Sequence, residues 1–143
     1  MERALQINEE EKLENLSFSV QDCCNLPVDW SEKFDLVVVF DVIHDIPRAS
    51  QGLLEIRRCL KPGGKFFMMD IMCGDDPREN PPLIYTISLF SCMAQSLNYE
   101  GSEGLGATWG VNKARQMLGE AGFSNVTQLK SPLSMFMLMV CDK

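Results

Sequence analysis

The chain has 143 residues, 45% of them hydrophobic, with 13 basic and 20 acidic side chains and a formal net charge of −7. That length suits one domain with a sizeable core, and an acidic chain without a basic stripe is not built to neutralise phosphates, which argues against a nucleic-acid partner. No apolar run is long enough to span a membrane. Residues 1–13 lack the apolar centre of a signal peptide, so a cytoplasmic protein is expected.

In chain order, residues 1–13 read as the end of a helix whose main apolar residues are Ala4, Leu5 and Leu13. Residues 16–20, Leu-Ser-Phe-Ser-Val, alternate apolar and polar, a strand pattern. It ends at Gln21-Asp22-Cys23-Cys24. A loop at Asn25-Leu26-Pro27 and a short helical turn within 29–33 lead into the segment that organises the chain. Residues 35–40 are apolar and rich in β-branched side chains, as in a strand buried on both faces of a parallel sheet. Pro47 suits the first turn of a helix. Ala49, Leu53, Ile56 and Leu60 recur at helical spacing, with Glu55, Arg57 and Arg58 turned outward. Lys61-Pro62-Gly63-Gly64 stops that helix, and residues 65–71 form a second apolar run. A strand, a helix and a strand in succession predict a right-handed crossover between two parallel strands. Ligands of open α/β sheets bind beyond the carboxyl ends of the strands. Residues 40–45 and 70–73 are therefore the ones to watch.

Residues 73–82, with Gly74, Asp75, Asp76, Pro77, Pro81 and Pro82, read as a loop. Leu83, Ile87, Phe90, Ala94 and Leu97 predict a helix that buries one apolar face. Residues 98–110 carry four glycines and Trp109, and a glycine-rich loop of that length is more often functional than idle. Val111, Ala114, Leu118 and Ala121 mark the next helix, closed by Gly122. Residues 124–130 and 135–141 are two further strands around Ser131-Pro132, expected to pair antiparallel at one edge of the sheet. The fold class is thus α/β with an antiparallel finish. The six cysteines form no C-x-x-C pair and the chain has a single histidine. They are expected to be free thiols in a reducing compartment, with no metal site.

Val20-Gln21-Asp22, Phe34-Asp35-Leu36-Val37-Val38, and Leu60-Lys61-Pro62-Gly63-Gly64 before a strand together resemble the class I S-adenosylmethionine-dependent methyltransferases. The distal pieces Ser102-Glu103-Gly104-Leu105-Gly106-Ala107-Thr108-Trp109-Gly110, Lys113-Ala114-Arg115 and Ala121-Gly122-Phe123 are similar to a small-molecule subfamily. Its full-length members carry an N-terminal winged helix. Val42-Ile43-His44-Asp45 is similar to the His-Asp of the plant-type O-methyltransferases, where the histidine is the base. The resemblance implies a partial Rossmann-like sheet, S-adenosylmethionine as cofactor, and methyl transfer to oxygen or nitrogen of a small molecule. It implies Asp22 and the Cys23 backbone at the adenine, Phe40 and Asp41 at the methionine end of the cofactor, and His44 as catalytic base. Tyr99 and Trp109 would line the acceptor pocket, with Asp70 and Met72 bordering it.

The family's glycine-rich turn after its first strand has no counterpart before residue 16. Residues 1–143 therefore read as the carboxyl-terminal two-thirds of such a domain. In the family's sheet the first two strands lie between the third and the fourth, so the strand at 35–40 is expected to expose an apolar edge. This leaves a second expectation, a non-catalytic interaction module that dimerises through the open edge. A nicotinamide-dependent oxidoreductase would share the sheet but needs the same missing glycine fingerprint.

Overall fold

A computed structural model describes residues 2–143. Four strands form one sheet in the order β1-β2-β4-β3: β1 (Phe34–Phe40), β2 (Leu60–Ile71), β3 (Ser124–Leu129) and β4 (Phe136–Asp142). β1 and β2 run parallel. β4 runs antiparallel to both β2 and β3. The parallel crossover and the antiparallel pair at the edge agree with the sequence reading.

The crossover helix α2 (Ala49–Cys59) buries Ala49, Gly52, Leu53, Ile56 and Cys59. Pro47 lies ahead of this helix rather than in its first turn. The helix start is instead capped from a distance, where the Glu103 carboxylate accepts hydrogen bonds from the Ser50 N–H at 3.2 Å and the Ser50 hydroxyl at 3.1 Å. A carboxylate there also meets the positive end of the helix dipole. Residues 61–64 bulge out between two points of β1–β2 pairing, Phe34 with Leu60 and Leu36 with Lys65. Gly64 is required in that bulge, because a Cβ would sit 2.9 Å from the Lys61 carbonyl oxygen.

Register assigns each strand residue to a face. Phe66 pairs with Cys141, Met68 with Met139 and Asp70 with Met137, all on the face that carries the core. Against it pack α2 and α5 (Val111–Glu120), the latter through Ala114, Met117 and Leu118. Phe123, just beyond α5, stacks on Phe66 with centroids 5.3 Å apart. The opposite face is open at β1, where Leu36, Val38 and Phe40 are 55%, 41% and 56% exposed. The expected apolar edge is present, for among the described residues β1 pairs only with β2.

The strand at 35–40 is therefore not buried on both faces, contrary to expectation, and two further expectations need correction. Residues 16–20 form no strand. Alternation favours a strand only when a neighbour completes its backbone hydrogen bonds, and this segment has none; Leu16, Phe18 and Val20 face solvent. The first segment is a helix as expected, α1 (Glu2–Glu11), and it buries no residue.

The helix at 83–97 is broken into α3 (Pro82–Ile87), a π turn (Ser88–Cys92) and α4 (Met93–Ser96). Its buried residues are Ser88, Cys92 and Ser96, while Leu83, Ile87, Phe90 and Leu97 are exposed. Small side chains face inward because the glycine loop presses close on that side. A Cβ on Gly104 would lie 2.9 Å from Leu97 Cδ2, and one on Gly106 2.8 Å from Met93 Cγ. Periodicity shows that one face is apolar, not which face meets the protein.

Candidate active site

Three segments converge beyond the carboxyl ends of β1 and β2. β1 gives way to Asp41, a non-glycine residue at φ +55°, a conformation that aspartate tolerates better than most. Its N–H still donates to the Met69 carbonyl at 2.7 Å. The chain then makes a tight 3-10 turn over Ile43–Asp45, placing His44 inside. β2 carries Asp70 next to its last residue, fully buried on the core-facing register.

His44 and Asp70 meet there. His44 Nδ1 is 2.6 Å from Asp70 Oδ1, and the His44 N–H donates to Asp70 Oδ2 at 3.4 Å. The Ile71 N–H donates to Asp70 Oδ1 at 2.7 Å. A carboxylate beside Nδ1 keeps the proton there and leaves Nε2 as the basic nitrogen. Nε2 lies 3.3 Å from Asp45 Oδ1, and Nδ1 is 3.9 Å from Asp41 Oδ1. Burial alone would lower the His44 pKa. The hydrogen bond to Asp70 and the charges of Asp70, Asp45 and Asp41 outweigh it, and the pKa is raised. The Asp41 carboxyl is also raised, chiefly by burial.

The same cluster brings ligand-type atoms of Asp41, His44 and Asp70, and of His44, Asp45 and Cys92, within 4.8 Å of one another. Both sets depend on His44, whose Nδ1 is committed to Asp70. Cys92 is held as a thiol, its pKa pushed up to about 11 by burial and by Asp45.

Two cavities flank this pair. One, of about 600 Å³, is bordered by Asp22, Cys23, Asp45, Arg48 and Tyr99. Asp22 and Cys23, singled out for the cofactor, thus share a cavity with Tyr99, singled out for the acceptor. Asp22 Oδ1 accepts the Cys24 N–H at 2.9 Å. Cys23 is an unreactive thiol, raised to about 11 by burial and by Cys24.

The other cavity, of about 580 Å³, is bordered by Asp41, Met72, Ile84 and Phe136 among others. Of the two cofactor positions expected at the end of β1, Asp41 borders this second cavity. Phe40 is turned to the open sheet face, edge-on to Phe67 at 6.2 Å. Trp109 is brought to neither cavity. It lies in the core, and its Nε1 has no hydrogen-bond partner among the described residues. Neither His44 nor Asp70 borders either cavity; Asp45, 3.3 Å from Nε2, borders one, and Asp41, 3.9 Å from Nδ1, borders the other.

Sequence reasoning gave Asp70 only a bordering place, yet it is the partner that fixes His44. The signal was available: an aspartate in the buried alternation Phe66, Met68, Asp70 must be paired or costly. The linings supplied by Ile84, Met135 and Phe136 carried no comparable mark.

Comparison with known proteins adds to this geometry. A family model described as "Methyltransferase domain" matches residues 1–122. The highly reducing polyketide synthase Preu5 of Preussia isomera is 27% identical over 114 residues, 78% of this chain and 4% of that protein. Human N-acetylserotonin methyltransferase, solved in complex with SAM, superposes with a TM-score of 0.66 at 23% identity, covering 92% of this chain and 34% of that one. The CMeT domain of the citrinin polyketide synthase superposes with a TM-score of 0.71 at 14% identity, covering 97% and 35%. These structures share the fold. The chain spans only a small part of each relative it matches.

Proposed function

The chain belongs to the methyltransferase-domain family, and we propose that it binds S-adenosylmethionine and supports transfer of the methyl group to a small-molecule acceptor. The observation that carries this is the His44–Asp70 pair set between two cavities, one suited to the donor and one to the acceptor.

The residues present fit the adenosine part of the cofactor. In the cavity beside Asp22, Oδ1 is used within its own loop and Oδ2 is left to accept from an exocyclic amine. Tyr99 offers an aromatic face and the Cys23 backbone a short approach. Bound S-adenosylmethionine supplies a methyl group on a sulfonium, ready for in-line displacement. Everything else is asked of the chain. Asp70 holds the His44 tautomer, Nε2 takes the acceptor's proton as its nucleophile attacks, and Asp45 steadies the imidazolium that results. Of the two positions expected at the methionine end, Asp41, which borders the second cavity, stands where donor and acceptor would meet, and Phe40 faces away on the open sheet face.

The acceptor atom of this reading is oxygen or nitrogen, following the His-Asp resemblance. The polyketide synthase relative and the CMeT neighbour favour carbon as a second reading, and the same base would serve there. The free thiols suit the reducing, cytoplasmic setting expected for them. Among the described residues no helix is long and apolar enough to cross a membrane. β1 stands at an edge where the family's strand order places further strands. This supports reading residues 1–143 as the carboxyl-terminal two-thirds of a methyltransferase domain.

The test is calorimetric titration with S-adenosylmethionine. One site per chain with micromolar affinity, about −8 kcal/mol, is the expected result. Asp22→Ala is expected to weaken it roughly tenfold, the cost of one hydrogen bond to a polar group. Equal affinity in the variant would remove Asp22 from the site.

The open β1 edge supports a different reading, an interaction module in which β1 of one copy pairs antiparallel with β1 of another. Sedimentation velocity is then expected to show a dimer that grows with concentration, and Val38→Lys to suppress it. A concentration-independent monomer would end that reading.

A further inference from the structure

The cavity of about 580 Å³ beside Asp41 has a lining that selects by charge. Its walls are apolar, with Met72, Leu83, Ile84, Ile87, Met135 and Phe136 supplying most of the surface. No Lys, Arg or His borders it, and Asp41 is its one charged residue. Asn80 also borders it, but its amide is spent: Oδ1 accepts the Gly74 N–H at 2.7 Å, and Nδ2 donates to the Gly74 carbonyl at 2.9 Å. Cys73 and Ser134 border it too and carry no positive charge, so a ligand there meets mostly hydrocarbon, one carboxylate and no compensating cation. Burying a carboxylate or phosphate group in such a place is costly, and like charges disfavour each other further.

We propose that this cavity takes up apolar small molecules that are neutral or cationic and rejects anionic ones. Resting on the methyl-transfer reading, it is the acceptor site, and Asp41 is its specificity-determining residue. The volume lies in the range of pockets that enclose drug-sized ligands. Asp41 links this cavity to the buried pair, its Oδ1 3.9 Å from His44 Nδ1, whereas the basic Nε2 faces Asp45 on the side of the other cavity, so the reacting atom of a molecule seated here has to extend past Asp41 to meet it. Leu83 and Ile87, exposed where a packing helix should bury them, have a purpose as walls of this cavity.

The experiment uses three fluorescent probes of matched size at pH 8: 2-naphthylethanol, 2-naphthylethylamine and 2-naphthylacetate. The amine and the alcohol are expected to bind the full chain at least tenfold more tightly than the acetate, the amine best. Asp41→Asn is expected to erase the advantage of the amine over the alcohol. Ile84→Trp, which fills the cavity, is expected to weaken all three tenfold or more while leaving the thermal melt in place. Acetate binding as tightly as the amine would overturn the proposal. So would an amine preference that survives Asp41→Asn, or a folded Ile84→Trp chain that binds as before. Failure of S-adenosylmethionine to bind is read in a separate titration and strikes the methyl-transfer reading, not the charge preference.

Discussion

Replacing Asp70 with Ala is expected to destabilise the chain by about 3 kcal/mol, on the order of 10 °C in Tm for a domain of this size. Asp70 is fully buried and its two oxygens take three contacts, His44 Nδ1 and the N–H groups of His44 and Ile71. The variant leaves those donors in a dry site without a partner. Asp70→Asn keeps the volume but removes the charge, so a smaller loss is expected.

The pH dependence has a definite sign. The folded pKa of His44 lies above its ordinary value, because Asp70, Asp45 and Asp41 outweigh burial. The stabilisation from this pair is therefore full below about 6.5, the unfolded value, and is lost as pH rises through the folded pKa. Since the chain has one histidine, a single imidazole resonance reports the titration. Its midpoint should lie above the ordinary value and fall in Asp70→Asn. An unchanged midpoint would show that Asp70 does not govern the proton on His44.

Gly106→Ala is expected to cost about 3 kcal/mol, from two causes that add. Its φ of +62° is left-handed, which costs a residue with a Cβ about 1–2 kcal/mol. The new carbon would also collide with Ser88 Oγ and approach Met93 Cγ to 2.8 Å, an overpacking of about 1–3 kcal/mol. The collision falls on the π turn, so the loop carrying Trp109 and the helix walling the second cavity should loosen together. Gly119→Ala is the control. Gly119 lies inside α5 with open space around it, and alanine there should stabilise by roughly 0.5–1 kcal/mol. Equal effects from the two substitutions in a thermal melt would show that the close approach at Gly106 is not what holds the loop.

The parts of the fold that depend on local chemistry were legible in the sequence. The run Leu36-Val37-Val38-Val39 needs no partner to be recognised as a strand, and Pro62-Gly63-Gly64 interrupts any helix. Gly122, at φ +89°, ends α5 as its position suggested. What was not legible depends on something across the gap. Residues 16–20 have the alternation of a strand and no strand beside them. Leu83, Ile87, Phe90 and Leu97 have the spacing of a buried face and little to be buried against. The site divides in the same way. His44 was found because a lone histidine at the end of a strand is conspicuous. Its pairing with Asp70 joins residues 26 apart, and no spacing rule relates two strand ends in different registers. The glycine-rich setting of Trp109 points to a pocket residue. Those glycines instead let the loop pack down, and the indole goes into the core.

Catalysis by this chain depends above all on His44 acting as the base. Its test is methyl transfer from S-adenosylmethionine to a panel of neutral apolar alcohols, amines and β-keto esters, followed by mass spectrometry. The predicted result is product with the native chain and a loss of about 100-fold or more in His44→Ala, as for a general base, with the variant still folded. A folded native chain that binds the cofactor and methylates nothing, or a His44→Ala chain of equal rate, would contradict it.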